Sequence, residues 1–301
     1  MKVIHLPDLA PAAGPAQTGR RVAIGTFDGV HIGHREVIRG CDTVLTFDPH
    51  PLAVLHPAAL PKLLDALPIK RDLLVGLGVS ELVVIPFDQE FAETDAEDFI
   101  DEILIRKLGA SHVSVGENFR FGRGAGGDAA MLAGRTEFET TIVPLIELGS
   151  ETVSSSRIRA LVAAGDVEQA ALCLGGPFLL EGEVVGGDRR GRELGMPTAN
   201  IVPDDRLACP GHGVYAAWAH GHPAAVSVGV RPTFETGRGL LVEAYVLDFD
   251  GDLYGEILRV AFVRRLRGER RFDSAEELVE QMHRDVEAVR RACVAGTVPD
   301  R

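Results

Sequence analysis

The tetrapeptide His31-Ile32-Gly33-His34 has residue types and spacing that could do chemistry. Two imidazoles three positions apart share one face where a helix begins, and a helix start offers phosphate its free backbone N–H groups and positive dipole. Gly33 lets a nucleotide approach closely. The tetrapeptide follows an apolar run and the turn Gly25-Thr26-Phe27-Asp28-Gly29. This strand-to-helix setting indicates nucleotidyl transfer, whereas the tetrapeptide alone would also suit an ordinary surface turn.

A second polar cluster, Ser154-Ser155-Ser156-Arg157-Ile158-Arg159, opens another helical pattern. Its hydroxyls can cap the helix, and its two arginines could meet a triphosphate. The alternative is a plain helix cap with solvated arginines. Adenylyl-transferring folds need a second phosphate-binding element beside the histidine pair, and this cluster can supply it.

The segment Gly182–Asn200 is dense in glycine and arginine and can wrap phosphates with backbone N–H groups. It is not a Walker A loop, because Arg192-Glu193 follows Gly191 in place of lysine and a hydroxyl residue. A mobile surface loop is the alternative. Gly186, Gly191 and Gly195 are its candidate phosphate-binding positions.

Three polar residues of the second half could serve a metal and a proton transfer. Thr198 and Asn200 share one face of an extended chain, so both oxygens could reach one magnesium ion. Glu243 lies inside the apolar run Leu241–Leu247, where a carboxylate facing the core would be costly. Its side chain could equally face solvent, and the sequence leaves both readings open.

The first half has the pattern of a parallel sheet, in which short apolar runs alternate with helical spacing. Four strands run directly into the polar or aromatic clusters GTFDGVHIGH, TFDPHP, PFDQEF and GENFRFG. Open α/β sheets bind ligands at these strand ends. The predicted strands are Val22–Ile24, Val44–Phe47, Leu82–Ile85, Val113–Val115 and Thr141–Val143.

From Phe178 onward the pattern changes to longer β-rich runs, which predict an antiparallel meander or small barrel closed by one helix. We expect tight turns between neighbouring strands at His220–Pro223 and Asp250–Asp252. A hinge near Gly175 would divide the chain into domains 1–174 and 175–301. The predicted strands are Leu179–Val185, Tyr215–Ala219, Ala224–Val230, Leu241–Phe249 and Leu258–Val263.

Length and composition agree with two globular cores. The chain has 301 residues, and single cores rarely grow beyond about 250 to 300. Its net charge of −13 argues against a surface that coats nucleic acid. Four cysteines without a Cys-x-x-Cys pair fit a reducing compartment. Since no apolar run approaches about 18 residues, we predict a cytoplasmic protein that binds small molecules, with no membrane or nucleic-acid partner. The sequence does not indicate its oligomeric state.

The ordered motifs resemble the bacterial bifunctional riboflavin kinase and FAD synthetase family over nearly the whole chain. GTFDGVHIGH, TFDPHP, GENFRFG and SSSRIR resemble its adenylyltransferase motifs, and GMPTAN, GVY, VRPTF, EAYVLDF and LYGE resemble its kinase motifs. The resemblance implies an α/β nucleotidyltransferase-like parallel-sheet domain, then an antiparallel β-barrel domain with a C-terminal helix. It implies that riboflavin and ATP give FMN, and that FMN and ATP give FAD and pyrophosphate, with Mg²⁺ for both steps.

The resemblance also implies roles for individual residues. His31 and His34 would stabilise charge on the transferring α-phosphate. Asn118 would lie at the flavin or nucleotide site. Thr198 and Asn200 would bind magnesium and phosphate, and Glu243 would accept the proton of the attacking ribityl hydroxyl. The remaining nucleotide-binding residues would be Gly25, Phe27, Asp28, Gly33, Ser155, Ser156, Arg159, Gly186, Gly191 and Gly195.

One departure from the family pattern leaves an alternative function open. Only eleven residues, Arg35 to Leu45, separate His34 from Thr46, so the first helix must be short. The first domain could therefore be a flavin-binding or interaction module beside an active kinase. A third interpretation of the histidine pair is a fragment of an aminoacyl-tRNA synthetase. The acidic charge and the absence of a Lys-Met-Ser-Lys-Ser-like segment argue against it.

The Gly122-x-Gly124-x-x-Gly127 string lacks the strand–turn–helix context of a dinucleotide site.

Overall fold

Two kinds of apolar pattern give two different sheets. The computed structural model describes residues 1–9, 19–186, 196–230 and 240–293. The chain divides into two compact units, the first formed by Met1–Pro61 and Leu67–Ser154, and the second by Lys62–Ala66 and Ser155–Arg301. The parallel sheet lies in the first unit and the barrel in the second, which confirms the predicted fold class.

The strands of the first unit are β1 Lys2–His5, β2 Arg20–Ile24, β3 Thr43–Asp48, β4 Glu81–Pro86, β5 Ala110–Gly116, β6 Arg120–Phe121, β7 Gly127–Asp128, β8 Glu139–Val143, β9 Glu147–Leu148 and β10 Glu151–Thr152. Six of them form one sheet in the order β1-β4-β3-β2-β5-β8, and every neighbouring pair is parallel. All five predicted strands are confirmed. The sequence pattern missed β1, because only one of its four residues is buried.

The helices of the first unit are α1 Ile32–Ile38, α2 Pro51–Leu55, α3 Leu67–Gly76, α4 Gln89–Ala92, α5 Ala96–Asp98 and α6 Ala129–Ala133, with a π-helical segment Phe99–Lys107 that continues α5. The seven residues of α1 confirm the short first helix. Three single 3₁₀ turns, Leu6–Asp8, Pro57–Ala59 and Arg123–Ala125, complete this unit. Aliphatic and aromatic side chains of the sheet and the π-helical segment form one core.

The second unit contains α7 Ser155–Ala164, α8 Val167–Leu174, β11 Phe178–Val185, β12 Ala199–Pro203, β13 Gly213–Ala219, β14 His222–Val230, β15 Leu240–Val246, β16 Ile257–Arg267 and α9 Ala275–Cys293. Its six strands close into a barrel in the order β11-β12-β15-β14-β13-β16, with antiparallel neighbours throughout. Helix α9 packs on the outer surface of this barrel through Val289 and Cys293. A small antiparallel barrel with a closing helix is therefore confirmed.

One predicted turn of the barrel is confirmed, and two other details differ from the sequence-based expectation. The turn at His220 and Gly221 joins β13 to β14, and both residues have the positive φ that such a turn requires, at 51° and 79°. Asp250–Asp252 does not join neighbouring strands, so that expectation was wrong. The strand before it pairs with β12 and β14, whereas the strand after it pairs with β11 and β13. The predicted strand to Phe249 also ends earlier, at Val246.

Helices α7 and α8 belong to the same compact unit as the barrel. The N–H of Gly211 donates to the carbonyl of Val162 at the end of α7, and Arg264 pairs with Glu168 of α8 at 2.9 Å. The expected hinge residue Gly175 ends α8 with φ 72°. Within the described ranges, no helix is both long enough and apolar enough to cross a membrane.

Candidate functional site

His31 is the N-cap of α1, directly after the turn that leaves β2. Its Nδ1 accepts the backbone N–H of His34 at 3.2 Å. Because Nδ1 is an acceptor, the proton of the neutral ring lies on Nε2. The capping bond therefore fixes both the orientation of this imidazole and its donor nitrogen.

The two histidine rings stack with centroids 3.5 Å apart and planes at 17°, and Phe27 meets His34 edge-on at 5.3 Å. The Nδ1 atom of His34 is buried and has no hydrogen-bond partner in the described part of the protein. Burial lowers the pKa of His34 well below its usual value, and the positive charges of His31 and Lys70 lower it further. The His34 ring is therefore neutral near pH 7 and acts as a dipole and hydrogen-bond donor, not as a cation.

The preceding turn holds three of the predicted nucleotide-binding residues, Gly25, Phe27 and Asp28, in a constrained conformation. Phe27 and Val30 adopt positive φ values of 46° and 41°, which non-glycine residues rarely do and which cost about 1–3 kcal/mol each. A Cβ at Gly25 would lie 3.2 Å from the Phe27 ring, and one at Gly33 would lie 3.2 Å from Cε1 of His31. Gly33 thus makes room for the neighbouring imidazole. Asp28 is buried in the same turn, 3% exposed.

The carboxyl edge of the parallel sheet also carries Asn118 and an apolar cavity. Asn118 is exposed in the turn that follows β5. The cavity, of about 360 Å³, is formed by segments that follow β3, β4 and β5, and Phe87, Phe91 and Phe99 supply its aromatic walls. Sequence reasoning missed this cavity, although the cluster PFDQEF marked one of its walls.

Ser155, Ser156 and Arg159 lie on the first turns of α7, as their pattern predicted. The guanidinium of Arg159 donates to Oγ of Ser156 at 3.3 Å. These residues belong to the second compact unit, whereas His31 and His34 belong to the first. The two groups of candidate phosphate ligands therefore belong to different compact units.

The barrel brings Asn200 and Glu243 together. They are direct cross-strand partners of β12 and β15, and Ser227 of β14 is the partner of Glu243 on its other side. Side chains directly opposite in antiparallel strands have Cβ atoms about 4.5–5.5 Å apart. Their neighbours Ile201 and Val242 fill the barrel interior, so this row faces outward, with Asn200 6% exposed and Glu243 half-buried. Sequence reasoning did not identify Ser227.

The donor set of this row fits magnesium, which prefers hard oxygen ligands. Thr198 is half-buried just before β12, and Asn200 supplies a buried amide oxygen two residues later. Val185, the last residue of β11, is the partner of Asn200, and the exposed Gly186 of the glycine-rich segment follows it directly. Gly191 and Gly195 lie outside the described residues.

Comparisons with known proteins match both halves of the chain. A family model described as FAD synthetase matches residues 14–157, and one described as riboflavin kinase matches residues 174–293. The bifunctional riboflavin kinase/FMN adenylyltransferase of Listeria monocytogenes is 34% identical over 96% of this chain and 98% of its own length. The Escherichia coli K12 protein of that name is 36% identical over 89% and 91%.

A crystal structure described as a macrolide-efflux protein from Streptococcus pneumoniae is similar over 96% of this chain and 99% of its own, with a TM-score of 0.84 and 31% identity. The parallel-sheet unit with its histidine pair and the barrel with its oxygen-rich row define a two-part transferase. The chain belongs to the bifunctional riboflavin kinase/FMN adenylyltransferase family.

Proposed function

We propose that this chain phosphorylates riboflavin with ATP to give FMN, and then adenylylates FMN with a second ATP to give FAD and pyrophosphate. The observation that carries this proposal is the tandem match to an FAD synthetase model and a riboflavin kinase model on one chain. Relatives of that bifunctional name are matched over nearly their full length. We assign the two activities to residues 1–174 and 175–301.

In the adenylyl-transfer step, His31 and His34 donate to the oxygens of the α-phosphate as negative charge develops there. A neutral His34 ring is suited to this role, because its N–H dipole can stabilise the developing charge without transferring a proton. Ser155, Ser156 and Arg159 hold the remaining phosphates. The aromatic cavity accepts the flavin ring, since its apolar walls match a planar aromatic ligand, and Asn118 binds the flavin from the turn after β5. Gly25, Phe27, Asp28 and Gly33 shape the nucleotide site.

In the kinase step, the carboxylate of Glu243 takes the proton from the ribityl hydroxyl as it attacks the γ-phosphate. Thr198 and Asn200 hold magnesium, which when bound neutralises charge on the ATP phosphates. Gly186 offers its backbone N–H to the phosphates, and Gly191 and Gly195 are assigned to nucleotide binding from the sequence alone. The cross-strand pairing of Asn200 and Glu243 supports this assignment, because it puts the metal ligand beside the base.

The short helix α1 motivates the alternative of a kinase with an inactive first unit. Against it, His31 still caps the seven-residue helix by accepting the N–H of His34, and the two imidazoles stack. The deciding experiment incubates the purified chain with FMN, ATP and Mg²⁺, and separately with riboflavin, ATP and Mg²⁺. FAD in the first reaction and FMN in the second are expected. FMN formation without any FAD would establish the alternative.

We also propose that the protein works in the cytoplasm on small molecules, without a nucleic-acid partner. Burial raises the pKa of the Cys209 thiol to about 12 and that of Cys41 to about 11, so both stay protonated and unreactive at neutral pH. Neither activity should change when the preparation is treated with ribonuclease.

A further inference from the structure

Lys70 of helix α3 contacts the turn that carries the candidate nucleotide site. Its ammonium donates to the carbonyl oxygen of Thr26 at 2.8 Å. The hydroxyl of Thr46, on β3, donates to the same oxygen at 3.3 Å. The Thr26 carbonyl, one residue before the positive-φ Phe27, is thus held from two elements that are distant in sequence.

The position of Lys70 is set by the packing of its helix. Ile69, Leu73 and Leu74 are buried, with at most 3% exposure, so α3 is fixed against the core. Lys70 itself is half-buried, and its long stem carries the charge to the turn. A lysine ammonium is a compact point charge with rotatable donors, which suits a single carbonyl oxygen.

The charge of the same ammonium acts on His34. The charges that lower the pKa of His34 come from His31, across the stack, and from Lys70. Lys70 therefore places positive charge close to the rings at which a phosphate would bind. None of the motifs that identify the nucleotide site includes this residue.

We propose that Lys70 is a positioning residue for adenylyl transfer, which holds the Gly25–Gly29 turn through the Thr26 carbonyl and so fixes His31 and His34 toward the α-phosphate. This inference rests on the proposed FMN adenylyltransferase activity of the first unit. It requires no contact between Lys70 and the substrate. Its consequence is that the histidine pair and the turn lose their alignment when the ammonium is removed.

The test compares Lys70→Met, Lys70→Arg and the control Arg71→Met in the full chain. Arg71 is the next residue of the same helix, and its guanidinium pairs with Asp72. FAD formation from FMN and FMN formation from riboflavin are measured on each preparation. Lys70→Met should lower kcat for FAD formation by about 10- to 100-fold, since small misplacements of reacting groups have effects of that size. Lys70→Arg should recover part of the loss, and Arg71→Met should match the wild type in both reactions.

A second measurement follows the His34 ring by NMR as the pH is changed. Removal of the nearby positive charge should raise the pKa of His34 in Lys70→Met relative to the wild type, a change that a purely structural role would not require. Unchanged FAD formation in Lys70→Met would overturn the inference whatever the His34 pKa, and so would equal loss of both activities. Wild-type protein that makes no FAD would instead refute the proposed function, and with it this inference.

Discussion

Asn200 and Glu243 are paired across β12 and β15 on the outward face of the barrel. An amide oxygen that could hold a cation therefore lies about one side-chain length from a carboxylate that could act as a base. This pairing joins two residues 43 positions apart in the sequence. The proposed roles of the two side chains can be tested separately. Loss of Asn200 should change the magnesium dependence of the kinase, and loss of Glu243 should change its turnover.

The chain contains two asparagines, one for each proposed activity, and they can control for each other. We expect Asn200→Ala to raise the magnesium concentration needed for half-maximal FMN formation, and to leave FAD formation from supplied FMN unchanged. Asn118→Ala should weaken FAD formation and leave the kinase magnesium dependence unchanged. Magnesium titration of both reactions tests this. An unchanged magnesium dependence in Asn200→Ala would show that the Asn200 side chain has only a structural role beside the glycine-rich segment.

We expect Glu243→Gln to keep riboflavin binding but to lose about 10²- to 10⁴-fold in kinase turnover, the range of a general base. The amide keeps the shape of the side chain but cannot take the proton. Glu287→Gln, at an exposed position of α9, serves as the control. If Glu243 is merely a strand residue facing solvent, its variant should differ by less than about 0.5 kcal/mol in stability and make FMN at the wild-type rate.

We expect His31→Ala and His34→Ala each to lower FAD formation by about 10²- to 10³-fold, the typical loss for one donor to a developing oxyanion. FMN formation should stay near wild type, because the kinase residues lie in the other compact unit. His5→Ala, exposed on β1, is the matched control. Parallel loss of both activities, or retention of both, would contradict the assignment.

The free energy of unfolding of the first unit should fall as the pH drops below about 6.5, the usual histidine pKa. His34 has a lowered pKa in the folded state, so in that range the unfolded chain binds a proton that the folded chain does not, and stability rises with pH. His112 is shifted in the same direction, first by burial and then by Arg21. The slope cannot exceed about 1.4 kcal/mol per pH unit for each group.

Urea unfolding at several pH values measures this effect. The single tryptophan, Trp218, lies on β13 and reports barrel unfolding, whereas far-ultraviolet circular dichroism also includes the first unit. His34→Gln should reduce the acid-side loss seen by circular dichroism and leave the tryptophan transition unchanged. An identical pH dependence in wild type and His34→Gln would contradict the assigned pKa direction.

A fragment of residues 155–301 should be more stable than one of residues 175–301. The longer fragment retains α7 and α8, which bury Ile158, Val162 and Leu174 completely. Loss of these helices exposes the surface of β11 and β16 on which α8 packs, and it removes the Glu168–Arg264 pair. Thermal unfolding of the two fragments, with riboflavin phosphorylation as the check on folding, gives the comparison. Equal melting temperatures would show that the barrel is independent of both helices.

Local patterns predicted much of the fold. Short apolar runs located five of the six strands of the parallel sheet, and the histidine pair located the start of α1. The barrel was expected, but the position of Asp250–Asp252 between non-neighbouring strands was not, because strand order depends on pairings far apart in sequence. The strand-like pairing of Leu63 with Leu207 likewise has no local signal.

The motifs located candidate residues but not their surroundings. The lowered pKa of His34 depends on burial and on Lys70, which is 36 positions away and comes near only when α3 packs. The sequence also could not show that the Glu243 side chain points outward. A single carboxylate in an apolar strand can lie on either face of the barrel. Side-chain environments of this kind arise from tertiary packing, which spacing along the sequence does not encode.

Closure of the six-stranded barrel limits how the chain length can vary. Successive strand residues face opposite sides, so one residue inserted into β12 or β15 would turn Asn200 or Glu243 toward the interior. It would also shift the register between neighbouring strands. Because the barrel is closed, no unpaired edge strand can absorb that shift. These strands should tolerate substitution but not insertion or deletion, and length variation should fall in connections such as the one between Val246 and Ile257.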